Sequence, residues 1–146
     1  MTKINNIPVS AKGIVFEGDA VWLRKNERNE WELPGGRVEQ GERFEEAVER
    51  ELREELGFQT KAKDSIQVHL YRRIKNGKRT GGVRVVSFLC ELLGKPGTFE
   101  IDGEAGKASF QLFPVKELSS IKMPRFYKTA IAKAFAMSRL NKKSPS

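Results

Sequence analysis

The chain has 146 residues, of which 38% are hydrophobic, with a mean hydropathy of −0.52 and a net charge of +8. These values fit one globular domain with its own core. They exclude a membrane-spanning helix, because no stretch approaches roughly 18 consecutive apolar residues. The single cysteine, Cys90, excludes an internal disulfide and is expected to be a small buried hydrophobic residue. Met1–Ser10 contains no apolar run of signal-peptide length, so we expect a cytoplasmic protein with no membrane partner.

The first third of the chain is predicted to form a β-hairpin and then a short strand. Val9–Phe16 and Ala20–Arg24 flank Glu17-Gly18-Asp19, a short polar turn. The short strand at Trp31–Leu33 is expected to end at Pro34-Gly35-Gly36, because proline and paired glycines stop strands and permit unusual backbone angles.

A helix is predicted from Glu42 to Leu56, which contains no Gly or Pro and many strong helix formers. Gly57 follows at the usual stop position. On a helical wheel of about 100° per residue, one face is apolar. Its members are Phe44, Val48, Leu52 and Leu56. Glu46 and Glu49 fall on the opposite side and are expected to face solvent.

The second half of the chain alternates in the same way between extended and helical patterns. The predicted elements are strands at Ser65–Lys75 and Val83–Leu93 joined by a loop at Asn76–Gly82, a strand at Ala108–Phe113, a helical turn at Val115–Ser119 and a helix at Tyr127–Leu140. Ile131, Ala134, Phe135 and Met137 are the expected core contacts of that last helix. The order predicts a mixed sheet with helices packed on it, in one domain over 1–140 with a disordered tail at 141–146.

Three glutamates of the predicted helix indicate a metal site. Glu51, Glu54 and Glu55 share an arc that overlaps the edge of the apolar face. Like charges at this spacing repel by about 0.2–0.5 kcal/mol per pair, and partial burial adds a desolvation cost. A bound hard cation would offset both, and carboxylate oxygens are ligands that Mg²⁺ prefers. Arg50, one turn before Glu54, is placed to orient that carboxylate.

Read together, these residues resemble the signature of the Nudix (MutT-like) hydrolases. Residues 36–42 read Gly-Arg-Val-Glu-Gln-Gly-Glu, and after seven further residues 50–58 read Arg-Glu-Leu-Arg-Glu-Glu-Leu-Gly-Phe. Every fixed position of the pattern G-x5-E-x7-R-E-U-x-E-E-x-G-U is filled, where U is a bulky aliphatic or aromatic residue. The resemblance implies an α/β fold, an α/β/α sandwich with a mixed β-sheet, in which this stretch forms a loop, a helix and a loop.

The resemblance also implies an enzyme, a Mg²⁺-dependent pyrophosphohydrolase in which Mn²⁺ can substitute. The implied metal-binding residues are Gly35 through its carbonyl, Glu51, Glu54 and Glu55, aided by Glu42. The candidate catalytic residues are Glu54 and Glu51, either of which can be the general base, and Arg50, which fixes the carboxylates. Glu104 is a further candidate for the base from a late loop, with an ordinary exposed acid as its alternative.

Substrate contacts follow from position. Arg24 ends the strand before the glycine pair, where family members often place a phosphate-binding arginine, and Gly36 is a second candidate. Trp31 is a candidate for stacking on a base, with a strand-end core aromatic as the alternative. His69 is interpreted as a surface residue of its strand.

The sequence leaves three functions open. The first is hydrolysis of the pyrophosphate bond in a nucleoside di- or triphosphate derivative. The second is removal of pyrophosphate from the 5′ end of RNA, suggested by the charge of +8 and the basic Lys75–Arg79 segment. The third is a non-catalytic nucleotide-sensing domain. A homodimer is expected from the resemblance alone.

Overall fold

A computed structural model of the protein describes residues 7–95 and 109–143. Its elements follow the predicted order. They are β1 (Val9–Glu17), β2 (Ala20–Lys25), β3 (Trp31–Glu32), β4 (Gly35–Arg37), α1 (Phe44–Leu56), β5 (Gln59–Lys75), β6 (Lys78–Gly94), β7 (Ser109–Pro114), a 3-10 helix (Val115–Ser120) and α2 (Arg125–Lys143). None of the helices in these two ranges is long and apolar enough to span a membrane.

The strands form one mixed sheet, in which β1 is the central strand. The sheet runs β3-β2-β1-β6-β5, while β4 also pairs with β1 and β7 with β2. The β1–β6 pairing is parallel, and the other pairings are antiparallel. Pairing of Phe16 with Val21 confirms the predicted first hairpin. The predicted α/β fold with a mixed sheet is therefore confirmed.

Each face of the sheet carries one helix, which makes the three-layer sandwich. Successive side chains of a strand point to opposite faces. Ala11 and Val15 of β1 pack with α1, whereas Ile14 packs with α2. Gly13 lets α1 lie close to the sheet, because a Cβ there would come 2.8 Å from the Leu52 side chain.

Helix α1 begins and ends as the sequence predicts within two residues. The Arg43 backbone N–H donates to Glu46 Oε1 at 2.9 Å, which satisfies one of the free amides at the helix start. At the other end Gly57 adopts a left-handed φ of 72° and donates to Arg53 O at 2.9 Å. Phe44 was expected on the buried face, but it lies at the first helical position and is 40% exposed.

The prediction for Glu49 was wrong. Its side chain is half-buried and accepts a hydrogen bond of 2.8 Å from the Ala62 backbone N–H, so it ties α1 to β5 rather than facing water. Glu46 is exposed, as predicted.

The second half differs from the prediction mainly at its connections. The expected loop at Asn76–Gly82 is a two-residue turn at Asn76 and Gly77, both with positive φ, and β6 begins at Lys78. An Asn-Gly pair suits such a turn, because both residues tolerate left-handed backbone angles. Helix α2 continues to Lys143, three residues beyond its expected end; 144–146 lie outside the described residues.

Candidate active site

Two glycines bring β4 against both β1 and α1. Gly35 has a φ of 138°, and a Cβ there would lie 2.2 Å from Ala11 O. A Cβ on Gly36 would lie 2.6 Å from the Glu51 carboxylate. Both positions therefore require glycine, and the backbone at Gly36 forms one wall of the space that the Glu51 carboxylate occupies.

Arg50 gathers the carboxylates of the site. Its guanidinium donates two hydrogen bonds to Glu42, of 2.6 and 3.0 Å, and one of 3.1 Å each to Glu51 and Glu54. It also donates to Arg37 O at 3.2 Å. The bond with Glu54 is the predicted contact between residues four apart on α1. Because its donors point into this cluster, Arg50 ties the middle of α1 to Glu42 and to the Arg37 carbonyl, both of which precede the helix.

These contacts change the ionisation of both partners. The Arg50 guanidinium is the main cause that lowers the pKa of Glu42 to about 2, assisted by the Glu39 backbone N–H. The same hydrogen bonds raise the pKa of Arg50 above its ordinary value. Glu42 thus carries a negative charge at neutral pH that Arg50 already balances.

Glu55 lies in a different environment, on the side of α1 that faces β4. Its Oε1 accepts a hydrogen bond of 3.0 Å from the Gly35 backbone N–H. The pKa of Glu55 is raised to about 7, mainly by burial and to a smaller extent by the nearby charge of Glu51. The charge of Lys12 and the hydrogen bond from Gly35 act in the opposite direction. A half-buried carboxylate whose charge is opposed by burial is chemically suited to accept a cation, because the cation stabilises the ionised form.

A second group of charged side chains consists of Arg24, Glu32 and Lys12. Of these, only Arg24 was identified from the sequence. Arg24 Nη1 donates to Glu32 Oε2 at 2.7 Å, and Lys12 Nζ lies 3.8 Å from the same oxygen. Lys12 Nζ is also 3.5 Å from Gly35 O. The signal that could have found Lys12 was a lysine inside the apolar strand Val9–Phe16, where a buried charge needs partners.

Trp31 packs as a strand-end aromatic. Its ring meets that of Phe113 edge-on at 4.7 Å, and Lys25 Nζ lies 5.5 Å from its centroid. These contacts favour core packing over base stacking. His69, expected to be a surface residue, is half-buried and stacks on Phe126 at 4.1 Å. Glu104 lies outside the described residues.

The donor set fits a hard divalent cation. The carboxylates of Glu51 and Glu55 are each partly withdrawn from water, with Glu51 against Gly36 and Glu55 bonded to the Gly35 N–H, and the Gly35 carbonyl faces Lys12. All of these are oxygen ligands of the kind that Mg²⁺ takes. Within residues 7–95 and 109–143, no three acidic, histidine or cysteine side chains converge on a single point.

The chain is similar to known proteins over most of its length. The family model of the NUDIX domain matches residues 7–134. An ADP-ribose pyrophosphatase of Methanocaldococcus jannaschii is 34% identical over 106 residues, 70% of this chain and 60% of that protein. An RNA pyrophosphohydrolase of Baumannia cicadellinicola subsp. Homalodisca coagulata is 41% identical over 46 residues, 32% of this chain and 29% of that protein. The chain thus spans less than two thirds of the length of these curated relatives.

The fold has counterparts among solved structures. A NUDIX hydrolase from Nitrosomonas europaea superposes with a TM-score of 0.72 at 16% identity, covering 96% of this chain and 97% of that one. At this level of identity the likeness shows the fold.

Proposed function

Because this chain belongs to the NUDIX family, we propose that it is a hydrolase that cleaves the pyrophosphate bond of a nucleoside di- or triphosphate derivative. The observation that carries this proposal is the group of Glu42, Glu51 and Glu54 around Arg50, beside the glycine pair at 35 and 36. Gly36 is part of this arrangement, because a side chain at that position would collide with the Glu51 carboxylate.

We propose Mg²⁺ as the metal, with Mn²⁺ as a substitute, held by Glu51, Glu54, Glu55 and the Gly35 carbonyl. A divalent ion held there would neutralise phosphate oxygens and lower the pKa of the attacking water. Arg50 keeps the carboxylates in place, because its three bonds to Glu42 and Glu51 leave little freedom to rotate.

Glu54 is the best-placed acceptor for the proton of the attacking water. Its side chain is 58% exposed, and Arg50 donates to its Oε1. Glu51 is the alternative, but it is 16% exposed and lies against Gly36. Arg24 contacts substrate phosphate with the donors that its bond to Glu32 does not use.

A substrate panel tests the proposal. Release of phosphate or nucleotide is measured with Mg²⁺ on ADP-ribose, nucleotide sugars, normal and oxidised deoxynucleoside triphosphates, diadenosine polyphosphates and 5′-triphosphorylated RNA. Glu54→Gln is compared with Glu45→Gln, a matched change at an exposed position of the same helix. Turnover of one class that collapses only in Glu54→Gln supports the proposal. Nucleotide binding without turnover anywhere on the panel favours the sensing role.

The β5–β6 hairpin favours RNA as a second candidate substrate. It continues past Val9↔Arg84, the first pair between β1 and β6, to its turn at Asn76. Between Asp64 and Glu91 the sequence has six Lys and Arg residues and no acid. Arg72 and Lys78 are exposed on this extension, and cationic side chains of this kind attract a nucleic-acid backbone.

Salt dependence discriminates the second candidate from the first. Affinity for 5′-triphosphorylated RNA is measured against salt concentration for the wild type, for Arg72→Gln with Lys78→Gln, and for the control Lys61→Gln; all three side chains are exposed. If the hairpin holds the RNA backbone, the salt slope of the double variant decreases by about 1 for each RNA phosphate that is no longer neutralised. A flat salt dependence in the wild type contradicts RNA as the substrate.

A further inference from the structure

Lys12 is a buried charge that the proposed chemistry does not use. Lys12 lies on the central strand β1, on the face opposite to Ala11 and Val15, and is only 8% exposed. Lysine is rarely buried to this degree unless its ammonium is paired, because desolvation of the charge is costly. Its partners therefore define what the charge does.

The ammonium is shared between two sites and is not tightly bound to either. Lys12 Nζ lies 3.5 Å from Gly35 O on one side and 3.8 Å from Glu32 Oε2 on the other. Glu32 already accepts a hydrogen bond of 2.7 Å from Arg24 and one of 3.3 Å from Asn26. Both of the Lys12 contacts are longer than a strong charge-assisted hydrogen bond, and the one to Glu32 is the longer of the two.

The peptide at Gly35 accounts better for the position of the ammonium. The Gly35 N–H donates to Glu55 Oε1 at 3.0 Å, and the Gly35 carbonyl faces Lys12. The positive charge of Lys12 also acts on the Glu55 carboxylate. The ammonium thus serves two of the oxygen groups, the Gly35 carbonyl and Glu55, that the proposed function assigns to the divalent metal.

We propose that Lys12 is a resident cation that stabilises the metal-free site and opposes metal binding. The inference rests on the proposed function, since it takes the Gly35 carbonyl and Glu55 as metal ligands. Two cations that share the same oxygens in a partly buried site repel each other strongly. Lys12 therefore raises the metal concentration that the protein needs, and its loss leaves the metal-free carboxylates without a counter-charge.

Metal binding and thermal unfolding test this without any measurement of turnover. Mn²⁺ and Mg²⁺ binding is measured by calorimetry in the same buffer for the wild type and every variant. We expect Lys12→Met to bind metal about tenfold more tightly than wild type. In EDTA its Tm falls, and saturating metal restores most of that loss. A purely structural role of Lys12 would instead lower the Tm equally with and without metal.

Three further variants serve as a substitute and as controls for Lys12→Met. Lys12→Gln removes the charge but keeps a donor for the Gly35 carbonyl, so it replaces Lys12→Met if that variant does not fold. Lys12→Arg keeps the charge and is expected to bind metal as wild type does. Lys61→Met removes an exposed lysine at the far end of β5 and controls for net charge.

The outcomes separate this inference from the proposed function. Metal affinity that is unchanged or weaker in both Lys12→Met and Lys12→Gln, while the wild type binds metal, overturns the inference alone. Absence of metal binding in every folded variant, wild type included, overturns the proposed function and the inference with it.

Discussion

Arg50 and Glu42 face each other through two hydrogen bonds, from Nε to Oε2 at 2.6 Å and from Nη2 to Oε1 at 3.0 Å. This paired geometry needs the planar guanidinium, because an ammonium presents no two parallel donors. The same guanidinium holds Glu51 and Glu54, so the order of three carboxylates depends on one side chain.

Arg50→Lys is therefore expected to lower kcat by about 10- to 100-fold while the protein stays folded, because the positive charge remains but the carboxylates lose their fixed positions. Steady-state kinetics and circular dichroism check this. Arg53→Lys is the matched control, since Arg53 is exposed on the same helix. Equal effects of the two changes would contradict a positioning role for Arg50.

Gly36→Ala is expected to displace the Glu51 carboxylate, because the new Cβ would lie 2.6 Å from it. A displacement of about 1 Å at a reacting centre lowers the rate by about 100-fold. The measurement is kcat alongside Tm, with Gly94→Ala as control, where a Cβ meets only Gln59 Oε1 at an ordinary 3.6 Å. Retention of full kcat by Gly36→Ala would show that Glu51 need not hold its position.

Arg24→Ala is expected to raise KM by about tenfold, because a hydrogen bond to a charged phosphate is removed. Arg28→Ala is the control, as its side chain is 45% exposed and pairs with Glu30 at 3.4 Å. A lower Tm with no change in KM would mean that Arg24 serves only its bond to Glu32.

Cys90 is expected to be unreactive in the folded protein. It is 3% exposed, and burial raises the pKa of its thiol to about 12, so the reactive thiolate is scarce. Labelling with a disulfide reagent should be slow in native buffer and fast in denaturant. Fast labelling of the native protein would show that the strand region around Cys90 opens readily.

The same shift predicts a loss of stability in alkaline solution. The folded state keeps a proton that an unfolded cysteine releases near pH 8.5, roughly its ordinary pKa. The stability that this proton contributes is complete below about pH 8.5 and is lost as the pH rises towards about 12. Denaturant unfolding of wild type and Cys90→Ala over this range measures it. Parallel decreases in the two proteins would argue against the shift.

The helix and its end were predictable because their determinants are local. A run without Gly or Pro, followed by Gly57, fixes α1 within two residues, and the spacing of Arg50 and Glu54 fixes their contact. The β5–β6 connection was predicted less well. The Asn76-Gly77 pair is a strong turn signal, but the glycines that follow it favoured a longer loop.

What the sequence could not show depends on contacts between distant segments. Lys12 and Glu32 meet only because β1 and β4 pair with Lys12 opposite Gly35. The helical pattern places Glu49 on the solvent side, and only the fold shows that β5 brings the Ala62 N–H within hydrogen-bond distance of its side chain. Phe44 lies on the apolar side of the wheel, but the wheel does not reveal that the first helical position is left 40% exposed.

The parallel pairing of β1 with β6 has a consequence for how the chain must fold. Val9 pairs with Arg84 and Val15 with Cys90, so one edge of the central strand β1 can pair only after β6, much later in the chain, has been synthesised. The loop and helix that carry the carboxylates are synthesised before that partner. Until β6 is made, the emerging chain has an open backbone edge along β1 from Val9 to Val15, and such edges promote aggregation. We therefore expect a fragment that ends after α1 to aggregate rather than to act as a minimal enzyme.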